Sequence, residues 1–175
     1  RQWVVAGVTA AVFAALAYHI GLHPRLVPAL LLTALVVPAA AIDLKHRIIP
    51  DAINLPGALL VYATAVAAQP DRWAELLIGG LAGLVFLGGA WVVSPKGMGL
   101  GDVKMVLMIG LALGKYVGVA LFAAFCLSLV PSVGLLLVKG LRARKIGLPF
   151  GPFLAFGAIV ALMWGPQIWD WYIIG

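Results

Sequence analysis

An all-α, polytopic transmembrane helical bundle with about seven membrane segments is the fold class this sequence predicts, on three observations. The first is composition: 64% of the 175 residues are hydrophobic and 10% are charged. With a mean hydropathy of +1.12, this lies far outside the mix of a soluble domain. The second is that apolar stretches recur at the length of a membrane span, each closed by prolines, glycines or charges. The third is a lopsided distribution of Lys and Arg between alternate breaks. A chain this short and this apolar reads as one membrane-embedded domain over residues 1–175. Its backbone polar groups have to be satisfied by helices packed on helices, because lipid offers them no partner.

The stretches run roughly over residues 3–20, 26–42, 53–69, 74–93, 103–114, 116–138 and 150–168. The first resembles a secretory signal only superficially. It is as long as a span, lacks a clear small-residue cleavage site and leads into more membrane segments. His23-Pro24-Arg25 separates it from the second. The third and fourth are parted by Gln69-Pro70-Asp71-Arg72, and the fourth and fifth by Ser94-Pro95-Lys96-Gly97. Lys115 marks the turn into the sixth, and the basic run from Lys139 to Lys145 precedes the seventh. The tryptophans stand near segment ends, as an interfacial belt would. Cys126 is the one cysteine, so an intrachain disulfide and a zinc site built on cysteine pairs are both excluded. Its place in an apolar run predicts a small buried side chain.

Charge orients the spans. With seven alternating segments, one side receives Arg1, Lys45, Arg47, Lys96, Lys104, Lys139, Arg142, Arg144 and Lys145, and the other only Arg25, Arg72 and Lys115. The richer side is predicted to be cytoplasmic. The net charge of +6 is accounted for by this topology. Lys45, Arg47, Lys104 and the run from Arg142 to Lys145 are expected among lipid headgroups, with no nucleic-acid partner.

Two aspartates break the apolar pattern on that side. Asp43 lies in Ala-Ile-Asp43-Leu-Lys-His-Arg-Ile-Ile-Pro50-Asp51, and Asp102 in Gly97-Met-Gly99-Leu-Gly101-Asp102-Val-Lys104. A carboxylate at membrane depth is costly and marks function by default. Counting back from Lys115 at the outer boundary puts Asp102 about 20 Å along a helix, short of the roughly 30 Å hydrocarbon core. Asp102 is therefore expected inside the membrane boundary, with Asp43 at a similar depth. Gly97, Gly99 and Gly101 leave the preceding backbone without side chains, free to bend and to let a peptide approach. A phosphate-loop reading of the run is weak, because it lacks the Gly-Lys-Ser/Thr ending and no strand precedes it. Asp51, directly after Pro50, is expected to cap the third helix. His23 and His46 are expected at the interface, and no metal set is apparent.

These motifs resemble the type IV prepilin peptidases, intramembrane aspartic proteases of the Gly-x-Gly-Asp class. The resemblance rests on Asp43 with Arg47-Ile-Ile-Pro50-Asp51, on Gly99-Leu-Gly101-Asp102-Val-Lys104, and on Leu148-Pro149-Phe150-Gly151-Pro152-Phe153-Leu154. It covers nearly the whole chain in order. Presenilin-like relatives share the Gly-x-Gly-Asp element but carry Tyr before the first acid, where this chain has Ile42. The resemblance implies that Asp43 and Asp102 are the catalytic pair, with Pro50, Asp51, Gly99, Gly101 and Lys104 shaping the site or binding substrate. It also implies a location in a prokaryotic cytoplasmic membrane, and cleavage without a metal or other cofactor. The expected partners are prepilin-like proteins with a basic leader and an apolar helix, besides membrane lipid. Many bacterial members also carry an N-terminal zinc-binding methyltransferase domain, which residues 1–175 do not supply.

Two nearby carboxyl groups in a partly dry site share one proton. The ionised acid can then activate water against a peptide carbonyl while its partner donates to the developing oxyanion. The competing reading is a small proton-coupled transporter that uses the same two acids as a relay, since broken, glycine-rich helices suit such carriers too. Against it, both acids fall on one side and no inverted repeat is visible.

Overall fold

The computed structural model describes residues 2–95, 99–139 and 149–174. They form seven α-helices: α1 (Gln2–Ile20), α2 (Leu26–His46), α3 (Asp51–Ala68), α4 (Trp73–Val93), α5 (Leu100–Leu113), α6 (Val117–Lys139) and α7 (Gly151–Ile174). Two short 3₁₀ turns, Pro70–Arg72 and Gly114–Tyr116, join α3 to α4 and α5 to α6. No strand occurs among the described residues, and the predicted all-α polytopic bundle is the fold found. Six stretches are long and apolar enough to cross a membrane. They are six rather than seven because α5 and α6 make one apolar run, Leu100–Val138. Alone, the 14 residues of α5 rise only about 21 Å.

The helix ends shift from the predicted breaks in a way that matters. α2 continues to His46, so Asp43 sits inside its last helical turn rather than just beyond it. Arg47 ends the helix in the left-handed conformation, with φ +55°, and its N–H donates to the Asp43 carbonyl at 2.8 Å. A left-handed residue just past the last turn is a common helix stop, here without the usual glycine. The expected loop between the spans is thereby reduced to Arg47–Pro50. Asp102 likewise lies within the first turn of α5.

The core centres on α5. It runs antiparallel to α4 along a seam of small residues, with Gly79 and Gly80 beside Gly110 and Leu111, and Gly83 beside Val106. A Cβ on Gly110 would stand 2.5 Å from the Gly79 carbonyl oxygen, and one on Gly79 would run into the Gly114 backbone. Gly114 itself turns with φ +61°. Membrane helices gain association from this kind of close backbone approach, because lipid provides no hydrophobic drive between them. Met105, Val106, Met108 and Ile109 of α5 are completely or almost completely buried against Leu32 and Val36 of α2, Val61 of α3 and Leu87 of α4.

α6 and α7 form a second antiparallel pair. Ala120 and Ala124 face Gly157, and Tyr116 meets Gly165 and Trp169. α1 is peripheral, and Leu16 alone of its described side chains is fully buried. Beyond Ala124, none of the described α6 side chains is buried. Cys126 is exposed there, contrary to the buried position expected for it. An apolar run does not distinguish a side chain facing lipid from one facing the core, because both environments accept it.

The α4–α5 seam makes a direct prediction. Gly79→Leu should lower the melting transition of the purified protein in detergent, at a cost of at least about 1–3 kcal/mol from overpacking. Gly89→Leu, on the same helix with nothing within 4 Å of its Cβ position, should leave it unchanged.

Candidate active site

Four buried polar or charged side chains occur among the described residues: Thr33, Asp43, Asn54 and Asp102. Thr33 satisfies itself by donating to the Ala29 carbonyl one turn back. The other three gather at one end of the bundle, where the C-terminus of α2 meets the N-termini of α3, α5 and α7.

Asp43 is 5% exposed, and its Oδ2 accepts a hydrogen bond from the Gly151 N–H at 2.9 Å. Gly151 is the first residue of α7, so its amide has no carbonyl within its own helix. The carboxylate supplies that acceptor and sits at the positive end of the helix dipole. A side chain at this position would press on Asp43. A Cβ there would stand 2.8 Å from Asp43 Oδ2 and 3.1 Å from its Cβ.

Asp102 is 7% exposed, on the third residue of α5. The helix starts from Gly99 in an extended conformation, and the Asp102 N–H returns to the Gly99 carbonyl at 3.2 Å. Its Oδ1 is buried with no hydrogen-bond partner among the described residues. Asp43 in the last turn of α2 and Asp102 in the first turn of α5 lie at the same end of the bundle, on helices that touch each other. The two predicted acids therefore share one buried end of the bundle rather than separate environments.

The residues predicted to shape the site lie at the starts of α3 and α5, at the same end of the bundle. Pro50, extended, precedes α3, and its carbonyl accepts the Ile53 and Asn54 N–H groups. Gly101 packs on Ile49, whose Cβ would be 2.9 Å from a Cβ at position 101. Lys104 Nζ lies 2.7 Å from both carboxylate oxygens of Asp51, which ties α5 to α3 on the outside of the site. The roles expected for these two residues change accordingly. Asp51 makes no capping bond, because α3 already starts from Pro50 without a side-chain cap. Lys104 is paired with Asp51 rather than spread among headgroups. Gly97, Lys96, Arg142, Arg144, Lys145 and Leu148 lie outside the described residues.

Two contributors were not legible as site groups. Asn54, 1% exposed, donates through Nδ2 to the Gly101 carbonyl at 3.1 Å. A polar amide at the start of an apolar span was the available signal for it. The donor to Asp43 is a main-chain N–H, which has no side-chain signature. Among the described residues no group of three or more His, Cys, Asp and Glu could hold a metal ion.

Comparison with known proteins gives this geometry its context. Residues 29–133, from α2 into α6 and including both buried aspartates, match the model of the type IV leader peptidase family. The chain belongs to that family. It is 31% identical over 167 residues to a prepilin leader peptidase/N-methyltransferase of Bacillus subtilis, covering 95% of this chain and 67% of that protein. Likewise-named proteins of Pseudomonas aeruginosa and Aeromonas hydrophila are 32% and 31% identical over 90% and 83% of the chain. The chain spans 56% and 52% of those two relatives. No solved structure matches it.

The contact between Asp43 and α7 at this candidate site is open to test. Gly151→Ala should lower cleavage of a prepilin-like peptide tenfold or more, through loss of a hydrogen bond to a charged group worth roughly 1.5–3 kcal/mol. The measurement is the initial rate of the folded, detergent-purified variant against that of the parent chain.

Proposed function

We propose that this chain is an aspartic endopeptidase of the membrane, one that removes the basic leader from type IV prepilin-like substrates at the cytoplasmic face. The observation that carries the reading is the pairing of Asp43 and Asp102 as two buried carboxyl groups at one end of a leader-peptidase bundle. Asp43, supplied with the Gly151 amide at a helix N-terminus, serves as the ionised base. Asp102, whose Oδ1 has no partner among the described residues, holds the shared proton.

The chemistry then balances with water alone. Asp43 takes a proton from water as its oxygen attacks the scissile carbonyl carbon, and Asp102 gives its proton to the carbonyl oxygen. The resulting gem-diol collapses as Asp43 passes its proton to the departing amine and Asp102 recovers one from the diol. Fixed groups in a dry site make these transfers efficient, since no solvent has to reorganise around the developing charges.

Orientation follows from charge. Lys45, Arg47 and Lys104 lie at the aspartate end, and the run Lys139–Lys145 leads into α7, which begins at the same end. That end is read as cytoplasmic. A substrate of matching form has its basic leader in the cytoplasm, its apolar helix in lipid and the scissile bond at the boundary. The relay reading is less well supported. It would need polar stations through the bundle, but among the described residues Asp43 and Asp102 are the only buried charged side chains.

Asp43→Asn and Asp102→Asn should each abolish cleavage of a prepilin-like peptide without unfolding the protein. Asp51→Asn should keep most of it, because a partly exposed ion pair is worth at most about 1 kcal/mol. Full cleavage by Asp102→Asn would remove the basis of the assignment. Because one carboxyl must be ionised and the other protonated, the rate should describe a bell against pH, with both limbs belonging to the pair. EDTA should leave it unchanged, whereas inhibition by EDTA that zinc reverses would indicate a metalloprotease.

A further inference from the structure

We infer that Asn54 is a positioning residue for Asp102, an inference that rests on the peptidase reading above. Asn54 is buried in the second turn of α3, and its Nδ2 donates to the carbonyl of Gly101, the residue directly before Asp102. Which way the amide faces is settled by chemistry. The Gly101 carbonyl is only an acceptor, so it must meet the NH₂ side of the amide and not the oxygen. Oδ1 is consequently turned away, and it is buried with no partner among the described residues.

The bond fixes a short piece of backbone that is otherwise free to choose. Gly99 and Gly101 have no side chains to hold the turn, and the Asp102 N–H is satisfied within it by Gly99. What locates the turn relative to the rest of the site is the segment from Ile49 to Asn54. Ile49 packs against one face of Gly101, Asn54 holds its carbonyl, and Asp51 anchors Lys104 one turn further along α5. Of these three contacts, only the Asn54 bond acts on the peptide group adjoining Asp102. A shift of that peptide moves the carboxyl with respect to Asp43, and misplacement of about 1 Å can cost 100-fold in rate.

A purely structural account of Asn54 fits poorly. A buried amide with one end bonded and the other without a partner among the described residues stabilises the fold less than an apolar side chain of the same volume would, because an oxygen left unbonded keeps its desolvation cost. Leucine is close in size and shape. The two accounts therefore predict opposite combinations of stability and rate.

The test is steady-state cleavage of a prepilin-like peptide, together with detergent melting, for the parent chain, Asn54→Leu and the isosteric Asn54→Asp, which has no amide donor. The expected result is a kcat lowered 10- to 100-fold in both variants with KM within about twofold, and a melting temperature for Asn54→Leu equal to or above the parent's. A kcat within twofold of the parent's in either folded variant overturns the inference while leaving the peptidase reading intact. An inactive parent chain removes both. If Asn54→Leu does not reach the folded state, Asn54→Ser carries the same kinetic expectation, because its hydroxyl is too short to reach Gly101.

Discussion

A carboxylate withdrawn from water must find hydrogen-bond donors, an opposite charge or a proton. Two of them at one end of an apolar bundle set the terms for everything around them. This chain answers with helix ends. The N-terminus of α7 presents an amide to Asp43, and the first turn of α5 carries Asp102. The N-terminal turns of α3 brace α5 through Asn54 and Asp51. Helix N-termini suit the purpose because their first N–H groups lack internal partners and their dipoles favour negative charge. Among the described side chains little cationic help is used inside: Lys104 is engaged by Asp51 on the outside, and Lys45 and Arg47 are exposed.

Holding such a site requires that the helices not drift, and the packing of α5 meets that demand. Glycines along α4 and α5 bring the two backbones into contact over several turns, so Asp102 rides on the best-buried helix of the bundle. Asp43, by contrast, sits at the end of α2 and takes its donor from the α6–α7 pair.

Much of this was legible in the sequence, for physical reasons that can be named. The spans were legible because lipid demands long apolar helices, and the two aspartates because charge at membrane depth is too costly to be incidental. The Gly-x-Gly-Asp turn showed itself by the absence of side chains before an acid. Other features had no such signature. Asp51 follows a proline at a helix start, which is where a capping residue belongs, yet its partner Lys104 lies 53 residues away. Cys126 could not be placed by hydropathy, because lipid and core both accept it. The Gly151 amide is invisible to any reading of side chains, although the run containing it could be recognised. Contacts that depend on which helices become neighbours are set by tertiary packing, and one chain read in order does not reveal them.

The bond between Gly151 and Asp43 joins residues 108 positions apart, and this has a consequence for biogenesis. Helices enter the membrane in order of synthesis, and α7 is the last of the seven. Until it is inserted, Asp43 and Asp102 are both present in the bilayer, but Asp43 lacks the donor that holds its carboxylate in register. Insertion of α7 supplies that donor, so this end of the bundle reaches its full set of contacts only once the last of the seven described helices is in place.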